Sequence, residues 1–113
     1  MLINSLNNSF EFSGLDARSS DHAPDVPTII TDGSNYESME KAFQGIDAVV
    51  HMGANAPVET PWPDVLKNNI SMTHNVYEAA RQHGVKRVVF ASSNHAVGNF
   101  EMDEPYSRIR VGD

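Results

Sequence analysis

The chain has 113 residues, 40% of them hydrophobic and 20% charged, which suffices for one small domain with a core and excludes a disordered tail. Eight basic against fifteen acidic residues give a formal charge of -7, so the basic clusters that a duplex nucleic-acid binder needs are missing. Cysteine is absent, which excludes disulfides, thiolate metal sites and a cysteine nucleophile.

No apolar run approaches the ~20 residues of a membrane span. The N-terminus has no basic region followed by an apolar stretch and a small-residue cleavage site. A soluble cytoplasmic protein without membrane or nucleic-acid partners is the expectation. Internal repeats and low-complexity tracts are absent.

In chain order, Met1 to Leu6 reads as the last turn of a helix, and residues 1–9 as the remnant of a first helix. Phe10 to Leu15 is a short strand signal closed by Asp16. Ala17 to Pro27 is a polar loop. Thr28 to Thr31 is a second strand, broken by Asp32-Gly33. Tyr36, Met39, Ala42 and Phe43 recur at helical spacing, and Gly45 is placed to end that helix. Ile46 to Met52 is rich in β-branched residues, as in a strand buried on both faces. Gly53 to Pro63 is a proline-containing loop, with Trp62 as a packing anchor. Val65 to His83 is the longest periodic segment, an amphipathic helix on Val65, Ile70, Val76, Tyr77 and Ala80, closed by Gly84. Val85 to Ala91 is another buried-type strand, and residues 99–113 read as an irregular loop. Buried-type strands separated by helices imply an α/β fold with a parallel sheet.

Open parallel sheets bind ligands outside the carboxyl ends of their strands, so the residues there are the candidates for chemistry. Asp16 follows the first strand. An acid at that point can accept hydrogen bonds from an adenosine ribose and would repel a 2′-phosphate, favouring NAD over NADP, although Arg18 is close; a surface Asp in a turn is the alternative. Asp32-Gly33 follows the second strand and reads either as an adenine contact or as turn chemistry. Gly53-Ala54 follows the third, where small residues allow close approach to a ribose or pyrophosphate, or simply a tight turn. His51 reads as a packed, hydrogen-bonded core histidine. Ser92-Ser93-Asn94-His95 follows the fourth strand. It is the densest polar cluster and could hold a substrate carbonyl or hydroxyl, or cap a helix. Asn69 and Asn75 are poor interior helix residues, which points to a special partner for one of them; a solvated face is the alternative. The histidines at 22, 74 and 83 show no metal-ligand spacing, and no metal site is expected.

The stretches Gly45-Ile-Asp-Ala-Val-Val-His-Met-Gly-Ala54, Asn69-Ile-Ser-Met-Thr-His-Asn75 running into Val76-Tyr-Glu-Ala-Ala80, and Val88-Val-Phe-Ala-Ser-Ser93 with Gly98 beyond, resemble the extended short-chain dehydrogenase/reductases. These are also called the NAD-dependent epimerase/dehydratase family. The order and spacing match from about Phe10 to Gly98. Within the family, Ser92 to His95 is most similar to the uronate dehydrogenases and the archaeal NAD-dependent glucose-6-phosphate dehydrogenases. The resemblance implies a partial Rossmann-type, doubly wound parallel sheet within an incomplete NAD-binding domain over 1–113. It implies NAD as cofactor, with NADP disfavoured, and a sugar or sugar-acid substrate for the parent enzyme. By position, Asp16 would bind the adenosine ribose and Asp32 would lie by the adenine. Met52, Gly53 and Ala54 would line the ribose and pyrophosphate, and Asn69 would match the cofactor-proximal asparagine. Ser93 would be the catalytic serine, and Ser93, Asn94 and His95 would touch substrate.

Departures from the family pattern are Ala56, where uronate dehydrogenases tend to have serine, and Met72, where glycine is common. The glycine-rich pyrophosphate loop, together with the first strand that leads into it, is missing from this sequence. So is the Tyr-x-x-x-Lys pair, in which Lys lowers the pKa of an acid/base Tyr. Tyr106-Ser-Arg-Ile-Arg110 has Arg for Lys and comes too soon after Ser93, while Lys41, Lys67 and Lys86 lie upstream. The expectation is a fragment of an NAD-dependent sugar or sugar-acid oxidoreductase, inactive alone. The alternatives are a non-catalytic nucleotide-binding or scaffolding module and an unliganded structural remnant. A second copy or a complementing fragment is left open as partner.

Overall fold

The computed structural model describes residues 2–6, 8–19, 25–93 and 96. In chain order they form α1 (Leu2–Leu6), β1 (Gly14–Asp16), β2 (Thr28–Ile30), α2 (Tyr36–Met39) with a 3₁₀ turn (Glu40–Phe43), and β3 (Ala48–His51). There follow α3 (Trp62–Val65), a π-helical turn (Leu66–Ser71), α4 (Met72–Gln82) and β4 (Arg87–Phe90). The alternation of strand and helix, with parallel pairing throughout, is the α/β architecture that the sequence pattern implies.

Local chemistry sets the element ends. The Asn35 side chain accepts the Ser38 N–H at 3.2 Å and so caps the first turn of α2. Gly45 and Gly84 follow α2's 3₁₀ turn and α4 with φ of 76° and 69°, a left-handed conformation that a side chain disfavours. Pro63 sits in the first turn of α3, where a missing N–H costs nothing. From Trp62 to Gln82 the backbone is continuously helical, and the π turn is marked by the Met72 N–H bonding to the Lys67 carbonyl.

The core is small. Met39 and Phe43 from the α2 segment meet Val76, Ala79 and Ala80 of α4, and Leu15, Val49 and Val88 lie against them from β1, β3 and β4. The two alanines let the helices approach closely. Three of the four strands therefore rest on one helical layer.

The strands do not form one hydrogen-bonded sheet. Leu15 pairs with Ile29 in one two-stranded ribbon, and Val49 pairs with Val88 in another. Neighbouring strands must lie within about 4.8 Å to bond, and no described strand bridges the two pairs.

Several expectations are corrected. The strand signals at 46–52 and 85–91 suggest burial on both faces, but the described residues cover only one face. Val49 and Val88 face the core, whereas Val50 and Val89 are 47% and 50% exposed. Strand alternation places these on the opposite side, which the described helices leave half open. β1 begins at Gly14 rather than Phe10, because its partner β2 has only three residues to pair. Trp62 is no packing anchor: it is 63% exposed, and Leu66, one turn on, is also exposed. Ile70 and Tyr77 are half exposed too.

Candidate functional site

The carboxyl ends of β1, β2, β3 and β4 carry Asp16, Asp32, Met52 and Ser92 within two residues of the strand, as the sequence pattern implies. Asp16 closes β1. Its carboxylate accepts the Arg18 N–H at 3.0 Å, and its carbonyl accepts the Thr31 N–H at 2.8 Å. The turn reading of Asp16 is thereby satisfied, while the carboxylate remains on an exposed residue.

Asp32 is more heavily engaged. One carboxylate oxygen accepts the Ser34 N–H at 2.9 Å and the Ser34 hydroxyl at 2.7 Å. The other meets Lys67 Nζ at 2.7 Å. Lys67, and then Ser34, hold the Asp32 carboxyl down at about 2. Sequence reasoning misses Lys67, because it weighs that lysine only as a partner for a catalytic tyrosine. Its place one turn before Ser71, beside a strand end, is visible only once the helix is docked.

The long helix fastens the strand-end loops. Asn69 makes a two-way amide clasp: its Oδ1 accepts the Asn55 N–H at 2.7 Å and its Nδ2 donates to the Asn55 carbonyl at 3.0 Å. Asn75 Nδ2 donates to the carbonyls of Gly33 at 3.1 Å and Ser34 at 2.9 Å. The sequence suggests a special partner for one of these interior asparagines; both have one, and neither merely lies on a solvated face. Each asparagine satisfies backbone groups that would otherwise be left without partners in a turn.

Met72 lies between these clasps. A Cβ placed on Gly33 would stand 2.6 Å from Met72 Sδ, and one placed on Gly53 would stand 2.9 Å from its terminal methyl. Close by, His51 is buried, and its Nε2 lies 3.0 Å from Thr73 Oγ1. The core-histidine reading is confirmed. The His51 ring also packs on Phe90, with ring centres 5.4 Å apart.

One helix thus grips the loops after β2 and β3, and an acid, two glycines and two amides converge at the same end of the strands. A model of the NAD dependent epimerase/dehydratase family matches residues 2–110. The chain belongs to this family.

Among its relatives, uronate dehydrogenase of Pseudomonas syringae pv. tomato is 41% identical over 75 residues, covering 66% of this chain and 27% of that protein. NAD-dependent glucose-6-phosphate dehydrogenase of Haloferax volcanii is 36% identical over 86 residues, covering 76% and 33%. The crystal structure of a variant uronate dehydrogenase from Agrobacterium tumefaciens, complexed with NAD, superimposes with a TM-score of 0.72. It is 35% identical, and the match covers 83% of this chain and 36% of that one. The chain thus spans about a third or less of these relatives' length.

Within this epimerase/dehydratase chain, Asp16, Asp32, Met52, Gly53, Ala54 and Asn69 all fall at the carboxyl ends of strands or on the helix that holds them. Ser93 follows β4, and its carbonyl accepts the Ala96 N–H at 3.1 Å. Asn94 and His95 lie outside the described residues, as do Gly98 and Tyr106 to Arg110. Among the described residues, no group of three or more His, Cys, Asp and Glu could hold a metal ion, and no helix is long and apolar enough to cross a membrane.

Two pH effects follow from this arrangement. Replacing Lys67 by Met removes the first cause of the depressed Asp32 carboxyl, which should titrate closer to 3.8. Carbon-detected NMR titration checks this. The native contribution of the pair is present above the unfolded value and lost as pH falls towards about 2. Because both side chains are about half exposed, water screens the pair, and the substitution should barely move the melting midpoint at neutral pH.

His51 behaves oppositely in cause. Burial lowers its pKa below 6.5, so the folded state disfavours the charged ring. Its contribution is therefore complete above pH 6.5 and lost as pH falls below it. Melting curves of the parent and His51→Gln should converge as the pH drops from neutral towards 5. Parallel curves would show that the ring is not the titrating group.

Proposed function

We propose that the chain is the nucleotide-binding portion of an NAD-dependent sugar or sugar-acid oxidoreductase, and that these 113 residues alone do not turn over substrate. The observation that carries the reading is the convergence on one helix. Asn69 and Asn75 fasten the loops after β3 and β2 in place, beside Asp16, Asp32 and Gly53.

The residues fit the adenosine half of a dinucleotide better than its centre. Asp16 would bind the adenosine ribose, and the Asp32-Gly33 turn would lie against adenine. Met52, Gly53 and Ala54 would line the path towards the pyrophosphate, with Asn69 holding that loop. A glycine-rich turn to cradle the pyrophosphate is not among these residues. NAD, when bound, supplies a hydride acceptor.

At the far end, Ser93 would hydrogen-bond the reacting oxygen, with Asn94 and His95 touching a sugar or sugar-acid substrate. A hydroxyl alone orients such an oxygen but does not remove its proton at neutral pH. An acid/base tyrosine paired with lysine is the usual remedy in this family, and the sequence has none in register with Ser93. The names of the relatives support a uronate or glucose 6-phosphate as the substrate of the parent enzyme.

The test is a calorimetric titration of the purified chain with NAD, beside a turnover assay with glucose 6-phosphate and a uronate. Saturable heat without reduced cofactor is the expected result. No heat at millimolar NAD would overturn the nucleotide reading, and turnover would overturn the inactivity.

A further inference from the structure

We infer that Met72 is a positioning residue that sets the separation of the loops after β2 and β3, and so the width of the crevice that receives the adenosine end of a dinucleotide. The inference rests on the nucleotide-binding reading above.

Three observations carry it. First, the Met72 side chain spans the two loops. A Cβ on Gly33 would lie 2.6 Å from its Sδ and 2.8 Å from its Cγ, and a Cβ on Gly53 would lie 2.9 Å from its methyl and 3.5 Å from its Sδ. Secondly, neither glycine has positive φ, unlike Gly45 and Gly84. Backbone conformation therefore does not demand glycine at 33 or 53; what a Cβ at either position would meet first is the Met72 thioether, which would have to shift to admit it. Thirdly, Met72 is flanked at three-residue spacing by Asn69 and Asn75, which bond the same two loops on either side of it. The amides pull the loops onto the helix, and the thioether keeps them apart. Opposed attraction and steric contact fix a distance in a way that either alone does not.

A methionine suits this place because its unbranched, polarizable chain fills irregular gaps. Removing it leaves the amide clasps free to draw the loops into the vacated space. The crevice then narrows although the hydrogen bonds survive.

The test uses the whole chain with adenosine 5′-monophosphate and NAD as probes. It compares the parent with Met72→Gly, Met72→Leu, Gly33→Ala and the double variant Met72→Gly/Gly33→Ala. The Met72→Gly variant should bind both nucleotides about tenfold more weakly, a difference of ~1.4 kcal/mol. The Met72→Leu variant, of similar volume, should restore most of the affinity. Gly33→Ala should lower the melting midpoint of the parent but leave that of Met72→Gly nearly unchanged, because its partner in the clash is gone.

Unchanged affinity in Met72→Gly, with binding intact in the parent, would overturn the inference and leave the nucleotide reading standing. If the parent binds neither nucleotide, that reading fails separately, and the role of Met72 in setting a nucleotide crevice fails with it. Equal effects of Gly33→Ala in both backgrounds would overturn the wedge itself. Should Met72→Gly melt without cooperativity, Met72→Ala takes its place in every comparison.

Discussion

Replacing Met39 by Ala should abolish the cooperative melting transition of this chain. Met39 is fully buried, and it is the largest side chain among the described residues of which that is true. It joins Phe43 to Val76, Ala79 and Ala80, so its loss opens a cavity at the meeting point of the α2 segment and α4. Truncations of this kind cost about 2–5 kcal/mol. Small domains are stable by only ~5–15 kcal/mol in total, and this core has only five buried apolar side chains among the described residues. The half-open sheet face contributes little in compensation, because Val50 and Val89 already meet solvent. Differential scanning calorimetry checks the outcome. A sharp transition within a few degrees of the parent's would show that the core extends beyond this cluster.

Replacing Asn69 by Ala should have the second-largest effect, and it should act on the site more than on the core. The substitution leaves both the N–H and the carbonyl of Asn55 without their partners, 2.7 and 3.0 Å away in the native chain. Unpaired, partly buried backbone groups cost about 1–3 kcal/mol. The loop from Gly53 to Asn55 would then leave the helix, and NAD affinity should fall by at least an order of magnitude under the proposed function. Asn69→Asp keeps the acceptor for the Asn55 N–H but loses the donor to its carbonyl, so its affinity should fall between the two. Calorimetric titration of the three chains measures the order. An Asn69→Ala chain that binds as tightly as the parent would show that this loop does not line the nucleotide site.

The two asparagines also show how sequence and tertiary structure divide the information. Asn is a poor residue for a helix interior because its side chain competes for nearby backbone groups. That liability is legible at 69 and 75 from residue type and position alone. The partners are not, since they lie 14 and 41 to 42 residues away along the chain. The same holds for Lys67, whose exposed side chain carries no periodic signal, and which finds Asp32 only because α3, the π turn and α4 dock across the strand ends.

By itself, the sequence determined the alternation of strands and helices, the glycine stops at 45 and 84, and the family, through motifs spread from Gly45 to Ser93. Those features are local: they depend on side-chain periodicity, on left-handed φ and on residue identity at fixed offsets. Tertiary structure alone decided which faces of the strands are covered, where the helix changes pitch and what stands between Gly33 and Gly53. Periodicity reports that a side chain prefers burial, but whether a neighbour arrives to bury it depends on elements distant in the chain. Val49 and Val50 differ little as residues, yet one faces α4's layer and the other faces water. Met72 reads in the sequence only as a departure from glycine. Only the docked helix sets its thioether against two glycines that follow two different strands.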